Sequence, residues 1–267
     1  MYREYWGLNR APFAEGLEIG SFYQSPVHEE ALARLHFLVE ERQRIGLLLG
    51  NSGCGKSLLL AVLARQLARR GHQVAAVNLL GADPQDVLWQ IANGLGLAPS
   101  RSATTFTLWR DLLARLSEHR FQGGSTVLLL DDAEEATPEV ATQIVRLIQA
   151  DTGPQVKLSL VLATIGNRLD RLGQRLLDLA DLRIDVEAWE IGDTGDYLSA
   201  ALEQAGRATP VFAPSAVLRL QELTEGVPRR VKQLAQLALL AGAGRGLPQI
   251  DGETVDAVYQ ELGVVTV

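Results

Sequence analysis

The sequence GNSGCGKS at residues 50–57 fits the pattern GxxxxGK[ST], in which a glycine-rich loop binds phosphate groups. Glycine permits positive φ and carries no Cβ, so backbone N–H groups can approach phosphate oxygens closely. We expect Lys56 to neutralise the β- and γ-phosphates of ATP and Ser57 to ligate Mg²⁺. The predicted nucleotide-binding residues are Gly50, Asn51, Ser52, Gly53, Cys54, Gly55, Lys56, Ser57 and Leu58. Flanking apolar runs favour this interpretation over a glycine-rich turn with an unrelated lysine.

Two aspartates follow the apolar run Thr126–Leu130. Asp131, at the end of a predicted buried strand, is the expected Mg²⁺ ligand, and the alternative is a carboxylate that caps the strand end. Asp132 is predicted to orient the attacking water. Because the aspartate side chain is short, two alternatives stay open: Glu134 as the base, or a site with no effective base.

The sequence GVPRR at residues 226–230 places an arginine at the start of a predicted helix. We expect Arg229 to contact the γ-phosphate and to couple nucleotide state to a conformational change. An ordinary helix start is the alternative, and the neighbouring Arg230 is expected to be a solvated surface residue.

The elements that must position these residues alternate between short apolar runs and amphipathic segments up to about Val186, which predicts a parallel sheet flanked by helices. The predicted strands are Ile45–Leu49, Gln73–Leu79, Thr126–Leu130, Leu158–Ala163 and Leu182–Val186. Helices are predicted to begin at Pro26, Pro84 and Pro138, each preceded by a capping side chain, and the first is expected to run to about Gln43.

Beyond Glu187 only helical patterns follow, each bounded by glycine, proline or an acidic cap such as Asp193. The predicted helices are Asp193–Gly206, Pro214–Glu225, Pro228–Ala241 and Gly252–Leu262, with a loop at Gly242–Gly246. The sequence therefore predicts an α/β fold of the P-loop NTPase type, with a five-stranded parallel sheet, followed by a small all-α lid domain. The expected domains are residues 1–190 and 191–267.

The charge and composition of the chain limit its possible binding partners. The net charge of −7 and pI near 5.2 disfavour DNA binding through bulk charge. Three arginines, Arg168, Arg171 and Arg175, share one face of a predicted helix, which indicates either a solvated basic face or a DNA or subunit contact. There is one cysteine, no signal peptide pattern and no apolar run long enough for a transmembrane helix. We expect a cytoplasmic protein without direct membrane insertion, which a partner could recruit to the inner membrane.

With these motifs assembled, the chain resembles the AAA+ ATPases of the general secretion pathway protein A (ExeA) kind, which are related to origin-recognition-like and TniB-type ATPases. The resemblance includes the aromatic opening Tyr5–Leu8, the residues His28–Leu32 and the GxPR sequence before a helical lid. It implies an α/β AAA+ core, homo-oligomers and a secretion-related partner. Relatives mostly carry glutamate where this chain has Asp132, and Lys232 replaces a family asparagine.

The resemblance also implies further site residues. Pro12 and Phe13 would border the adenine, although they could equally pin the N-terminus to the core. Thr164 matches a polar sensor residue at a strand end. Arg183 lies near the position of the arginine finger that acts in a neighbouring subunit, with a strand-flanking cation as the alternative.

Three functions are consistent with these expectations. The leading one is an ATPase that hydrolyses ATP–Mg²⁺ to assemble or remodel a partner complex in secretion or pilus assembly. The others are an ATP-dependent DNA-binding accessory protein and an ATP-binding switch with little hydrolysis. Because the sequence given ends at Val267, the transmembrane and peptidoglycan-binding parts of secretion relatives and the winged helix of origin-recognition proteins are not expected.

Overall fold

The computed structural model describes residues 2–13, 19–150 and 157–263. These residues divide into an α/β unit, drawn from residues 28–52 and 56–186, and a helical unit, drawn from residues 1–27, 53–55 and 187–267. The first helix, α1 (Tyr2–Trp6), belongs to the helical unit. The sequence placed residues 1–27 with the α/β core, so the structure corrects the assignment of this segment.

A sheet of five parallel strands forms the centre of the α/β unit, in the order β2-β3-β4-β1-β5. The strands are β1 (Ile45–Gly50), β2 (Gln73–Asn78), β3 (Thr126–Asp131), β4 (Leu158–Thr164) and β5 (Leu182–Val186). All five predicted strands are confirmed, with ends within one residue of the prediction. Strands β3 and β4 are buried along almost their whole length, because helices cover both faces of a parallel sheet.

Helices flank the strands of this sheet, and those that follow β1 provide the crossovers that parallel neighbours require. They are α2 (Pro26–Glu40), α3 (Lys56–Arg69), α4 (Pro84–Gly94), α5 (Thr105–Phe121), α6 (Pro138–Ala150) and α7 (Gln174–Leu177). The predicted cap of α4 is confirmed, because Asp83 Oδ1 accepts hydrogen bonds from the N–H groups of Gln85 and Asp86, both at 2.8 Å. Helix α2 ends three residues before the predicted end at Gln43.

The prediction that one helix carries Arg168, Arg171 and Arg175 is wrong, because these residues lie in two separate segments. The first two arginines lie in a 3₁₀ segment, Gly166–Leu172, whose backbone departs from helical geometry at Arg168. Arg175 belongs to α7, and Gly173, with φ +77°, separates the two segments. A residue at such φ ends a right-handed helix, so the three arginines do not share a helix face.

The helical unit contains α8 (Ile191–Gln204), α9 (Pro214–Thr224), α10 (Pro228–Arg245) and α11 (Gly252–Gly263). Helix α8 begins two residues earlier than predicted, because Glu190 and Asp193 form a capping box. The prediction of a loop at Gly242–Gly246 is wrong, since α10 continues to Arg245. Gly246, which has φ +68°, caps the end of this helix. Within the described residues, no helix is both long and apolar enough to cross a bilayer.

The N-terminal segment is part of the core of the helical unit. Trp6 is 1% exposed, and its indole N–H donates to Leu239 O at 2.9 Å. A Cβ on Gly242 would lie 3.0 Å from the Trp6 ring, so the glycine inside α10 provides space for this tryptophan. Phe13, also 1% exposed, packs against the rings of Tyr197 and Phe212. These contacts explain why the segment groups with the helices.

Two histidines lie where β2 and β3 begin, at the amino-terminal edge of the sheet. His72 Nδ1 hydrogen-bonds with Ser125 Oγ, and His119 Nδ1 with Thr126 Oγ1 at 3.2 Å. Burial is the main cause that lowers the pKa of each imidazole, and Arg70 beside His72 and Arg115 beside His119 lower it further. Both side chains are therefore more readily protonated after unfolding than in the folded protein.

This difference predicts pH-dependent stability. The unfolded state binds the protons, so the histidine contribution is complete above the ordinary histidine pKa of 6.5 and is lost as pH falls toward the lowered folded values. We expect urea unfolding between about pH 8 and pH 5.5 to show a stability loss that is smaller in the His72→Gln/His119→Gln protein. An equal loss in both proteins would contradict this assignment.

Candidate functional site

The glycine-rich loop lies between the end of β1 and the start of α3. Gly53 and Gly55 have φ values of +89° and +96°, which side-chain-bearing residues rarely adopt. The backbone of this loop therefore favours glycine at both positions, and its binding of phosphate stays a prediction. Cys54, between the two glycines, is 1% exposed, so its thiol is buried in the loop.

Lys56 is the first residue of α3, and its side chain is hydrogen-bonded to this loop. Its ammonium group donates to Gly50 O at 2.7 Å and to Asn51 O at 3.2 Å. The side chain is largely buried, at 9% exposure. A buried ammonium group needs such partners, because desolvation of an unpaired charge is costly. The contacts place the positive charge beside the loop to which the sequence assigns the phosphates.

Asp131 at the end of β3 and Ser57 in the first turn of α3 form the predicted metal pair. The Ser57 hydroxyl lies near enough to the Asp131 carboxyl group to influence its pKa. Burial raises the pKa of the Asp131 carboxyl group, as does the neighbouring Asp132, whereas the Ser57 hydroxyl and the Lys56 charge lower it. One carboxylate and one hydroxyl beside a phosphate site fit Mg²⁺, which takes oxygen ligands and few of them from protein.

Asp132 has an unusual backbone conformation, with φ +50° and ψ +45°. Its N–H donates to Asp131 Oδ1 at 3.1 Å, and its Oδ2 accepts from Asn78 Nδ2 at 2.7 Å. Left-handed backbone is unfavourable for a residue with a side chain, and aspartate tolerates it better than most. The aspartate predicted to orient water is therefore fixed by both its backbone and its carboxylate.

Asn78 is a site residue that the sequence analysis missed. It ends β2, and it is the register partner of Asp131 on β3. Its amide nitrogen binds Asp132 while its Oδ1 accepts from Leu80 N–H at 2.8 Å, so the amide orientation is fixed. A signal was present in the sequence, because a polar residue ends the apolar run of β2 just as Asp131 ends that of β3.

Two further buried side chains have polar atoms without hydrogen-bond partners among the described residues. Thr164 is fully buried at the end of β4, and its Oγ1 is unpartnered. Glu134 is 4% exposed, and its Oε2 is unpartnered. Such atoms are costly in a folded protein and often mark functional positions. Both residues were candidates from the sequence, as a sensor and as an alternative base, and these roles stay predictions.

Three candidate arginines of the α/β unit, Arg168, Arg171 and Arg183, lie within 4 Å of carboxylate oxygens. Arg183, 63% exposed, lies within β5 and donates through Nη2 and Nε to the two oxygens of Asp185, at 2.8 and 3.0 Å. The carboxylate of Glu135 accepts from Arg168 at 2.8 Å and lies 3.8 Å from Arg171. The structure thus shows Arg183 in an ion pair within β5, and its role as a finger stays a prediction.

In the helical unit, Arg229 is joined to the phosphate-loop glycine Gly53 through its backbone. Its N–H, in the first turn of α10, donates to Gly53 O at 3.2 Å. Arg229 is an exposed residue, and the role of its guanidinium group at the γ-phosphate stays a prediction. The base-contact role of Pro12 and Phe13 also stays a prediction, since the observed contacts of Phe13 are with core aromatic rings.

Several known proteins are similar to this chain in sequence or in structure. General secretion pathway protein A of Aeromonas hydrophila is 29% identical over 273 residues, which cover 99% of this chain and 49% of that protein. The chain thus spans about half the length of this curated relative.

Among solved structures, Cdc6p from Pyrobaculum aerophilum matches with a TM-score of 0.74 at 18% identity, covering 94% of this chain and 70% of that one. The ORC1 protein of Aeropyrum pernix, solved in complex with DNA, matches with a TM-score of 0.70 at 19% identity and coverages of 91% and 67%. The Holliday junction branch migration motor RuvB of Thermotoga maritima matches with a TM-score of 0.60 at 15% identity, covering 88% of this chain and 69% of that one.

These structural matches share the P-loop AAA+ architecture described above, and at such identities the likeness concerns the fold alone. The sequence model of the AAA domain family gives more than a likeness of fold. It matches residues 39–172, from the end of α2 through the 3₁₀ segment after β4. This region includes the glycine-rich loop, Asn78, Asp131, Asp132 and Thr164. Since the match spans 134 of 267 residues, just over half of the sequence, the chain belongs to the AAA domain family.

Proposed function

We propose that this AAA domain protein binds ATP–Mg²⁺ at the loop 50–57 and hydrolyses it. The observation that carries the proposal is the Lys56 ammonium group, which donates to the loop carbonyls of Gly50 and Asn51, with the Ser57 hydroxyl near the Asp131 carboxyl group. A phosphate-binding loop, a buried cation and an adjacent oxygen pair for Mg²⁺ are the minimum set for phosphoryl transfer from a nucleoside triphosphate.

In the proposed reaction, the loop N–H groups bind the phosphates and Lys56 neutralises their charge. Bound Mg²⁺ would supply electrostatic stabilisation of the transferred phosphoryl group, and Ser57 and Asp131 are the residues that would hold it. Asp132 accepts the proton of the attacking water. Thr164, whose buried hydroxyl has no partner in the described structure, is available to orient that water or the γ-phosphate.

A second candidate function is an ATP-binding switch with little hydrolysis. The observation that favours it is the 2.7 Å hydrogen bond from Asn78 Nδ2 to Asp132 Oδ2. This contact occupies one oxygen of the proposed base, and the aspartate side chain is one methylene shorter than glutamate. In this state turnover would be slow until a partner or a bound nucleotide breaks the hydrogen bond.

For the biological role, we propose an oligomeric cytoplasmic ATPase that assembles or remodels a partner of secretion or pilus systems. The support is the identity of 29% with general secretion pathway protein A. A DNA-linked role has weaker support, since the protein is acidic and the predicted basic helix face is absent from the described structure. A rise of specific ATPase activity with protein concentration would support subunits that share a site.

The first prediction concerns nucleotide binding. Lys56→Ala removes the charged donor beside the phosphates, so we expect ATP–Mg²⁺ affinity to fall by about 10- to 100-fold, the range for a lost hydrogen bond to a charged group. Calorimetric titration measures the change. Arg65→Ala is the matched control, because Arg65 lies on the exposed side of the same helix. Wild-type affinity in the Lys56→Ala protein would exclude the proposed site.

The second prediction concerns the base. Asp132→Asn keeps the size and most hydrogen bonds of the side chain but cannot accept a proton, so we expect hydrolysis to fall by about 100-fold or more at unchanged ATP affinity. Asp132→Glu keeps the charge and lengthens the reach, and we expect it to retain activity. If Asp132→Asn hydrolyses ATP at the wild-type rate, Glu134 becomes the candidate base.

The third prediction concerns Asn78. Asn78→Ala frees the Asp132 carboxylate, and we expect the steady-state rate of ATP hydrolysis to rise by about tenfold, as for removal of one hydrogen bond to a charged group. A rate that falls toward that of Asp132→Asn would show instead that Asn78 positions the base for catalysis.

A further inference from the structure

Trp189 connects three segments of the helical unit through hydrogen bonds. Its N–H donates to Gly226 O at 2.9 Å, and its own carbonyl accepts from Gln221 Nε2 at 2.7 Å. The indole N–H donates to Ser25 Oγ at 3.0 Å, just before α2. The side chain is 5% exposed, so these bonds are shielded from water and breaking them is costly.

The backbones of Trp189 and Gly226 approach so closely that position 226 requires glycine. A Cβ on Gly226 would lie 2.0 Å from Trp189 O, and the residue has φ +67°. Gln221 is fixed on its other side, where Oε1 accepts from Thr194 Oγ1 at 2.6 Å. The turn that begins at Gly226 is therefore attached to Trp189 by its backbone and by a neighbouring side chain.

The same turn contacts Gly53, which belongs to this unit. Arg229 N–H donates to Gly53 O at 3.2 Å. A Cβ on Gly53 would meet Arg229 Cβ and Val227 Cγ1, each at 3.0 Å. Both the carbonyl and the Cα side of this glycine are thus covered by the residues that follow Gly226. Direct contacts run from Ser25 through Trp189 and the turn to the middle of the phosphate loop.

We propose that Trp189 is a positioning residue for ATP: it fixes the turn at Gly226–Arg229, and this turn holds Gly53 in its phosphate-binding conformation. The inference rests on the proposed function of the loop. Its physical basis is preorganisation, because N–H groups already aimed at a ligand need no ordering when it binds. The contact to the loop runs through the backbone of Arg229, so it is independent of any role of the guanidinium group.

The main comparison is Trp189→Phe against Trp6→Phe in the full chain. Phenylalanine preserves an aromatic ring against Tyr23 and Tyr197, which lie 5.8 and 4.7 Å from Trp189. It removes the indole N–H and the second ring, and Trp6→Phe makes the same change at another buried tryptophan. Trp6 is an ideal control, because its buried indole donates a similar bond, at 2.9 Å, in the same unit. The described contacts of Trp6 do not include the turn at Gly226.

We expect Trp189→Phe to raise the KM and Kd for ATP–Mg²⁺ by about fivefold, the effect of one buried hydrogen bond, with kcat within about twofold of wild type. Trp6→Phe should leave KM and Kd for ATP–Mg²⁺ unchanged. We expect the two variants to lower the melting temperature by similar amounts. Equal nucleotide constants in the two variants would overturn the proposal. A general loss of stability cannot produce a selective change in KM.

A second comparison tests the turn itself. Gly226→Ala and Gly246→Ala both place a Cβ at positive φ, +67° and +68°, but only the first meets another atom, Trp189 O. We expect Gly226→Ala to weaken ATP–Mg²⁺ binding by about tenfold more than Gly246→Ala, because the turn must move away from Gly53. Equal affinities would overturn the proposal. If Gly226→Ala does not fold, the tryptophan pair decides the question alone.

Hydrogen exchange without nucleotide separates this inference from the proposed function. In Trp189→Phe, peptides covering residues 50–57 and 224–231 should exchange faster than in Trp6→Phe, because the loop and the turn loosen together. Identical exchange in the two variants would overturn the positioning role. If the wild-type protein binds no ATP–Mg²⁺, the proposed function fails, and the exchange comparison still decides whether Trp189 controls the loop.

Discussion

Parallel hydrogen bonding between neighbouring strands is the constraint on which the candidate site depends. In the ladder, Asn78 is opposite Asp131, and Leu49, just before the phosphate loop, is opposite Thr164. Because parallel strands point the same way, residues that end β1, β2, β3 and β4 meet at one edge. Close packing fixes that register, since a one-residue slip would exchange the side chains of the two faces and disrupt their contacts with the helices on both sides.

The site concentrates features that cost stability. Asp132 has a left-handed backbone, Asp131 is a partly desolvated carboxyl group, and Thr164 and Glu134 carry buried atoms without partners in the described structure. Such features persist when the surrounding fold is stable enough to impose them, and they cluster where a ligand completes the interactions. A bound nucleotide with Mg²⁺ would provide the missing polar partners at this edge of the sheet.

Sequence patterns were sufficient where local chemistry determines the structure. Short apolar runs predicted the five strands, and Asp83 before Pro84 predicted the start of α4. Sequence patterns failed where a contact between residues far apart in the sequence determines the local structure. Gly242 looks like a loop residue, yet it lies inside α10 because Trp6, far away in sequence, occupies the space above it. The Asn78–Asp132 contact was missed for the same reason, since pattern analysis does not reveal which strands are neighbours.

The central claim is that the loop and the Ser57–Asp131 pair bind ATP together with Mg²⁺. The most direct measurement is the unfolding free energy of the wild-type protein as a function of ATP concentration, with and without Mg²⁺. Our account predicts that, above Kd and only with Mg²⁺ present, stability rises by about 1.4 kcal/mol for each tenfold increase in ATP. Stability that does not change with ATP in the presence of Mg²⁺ would contradict it.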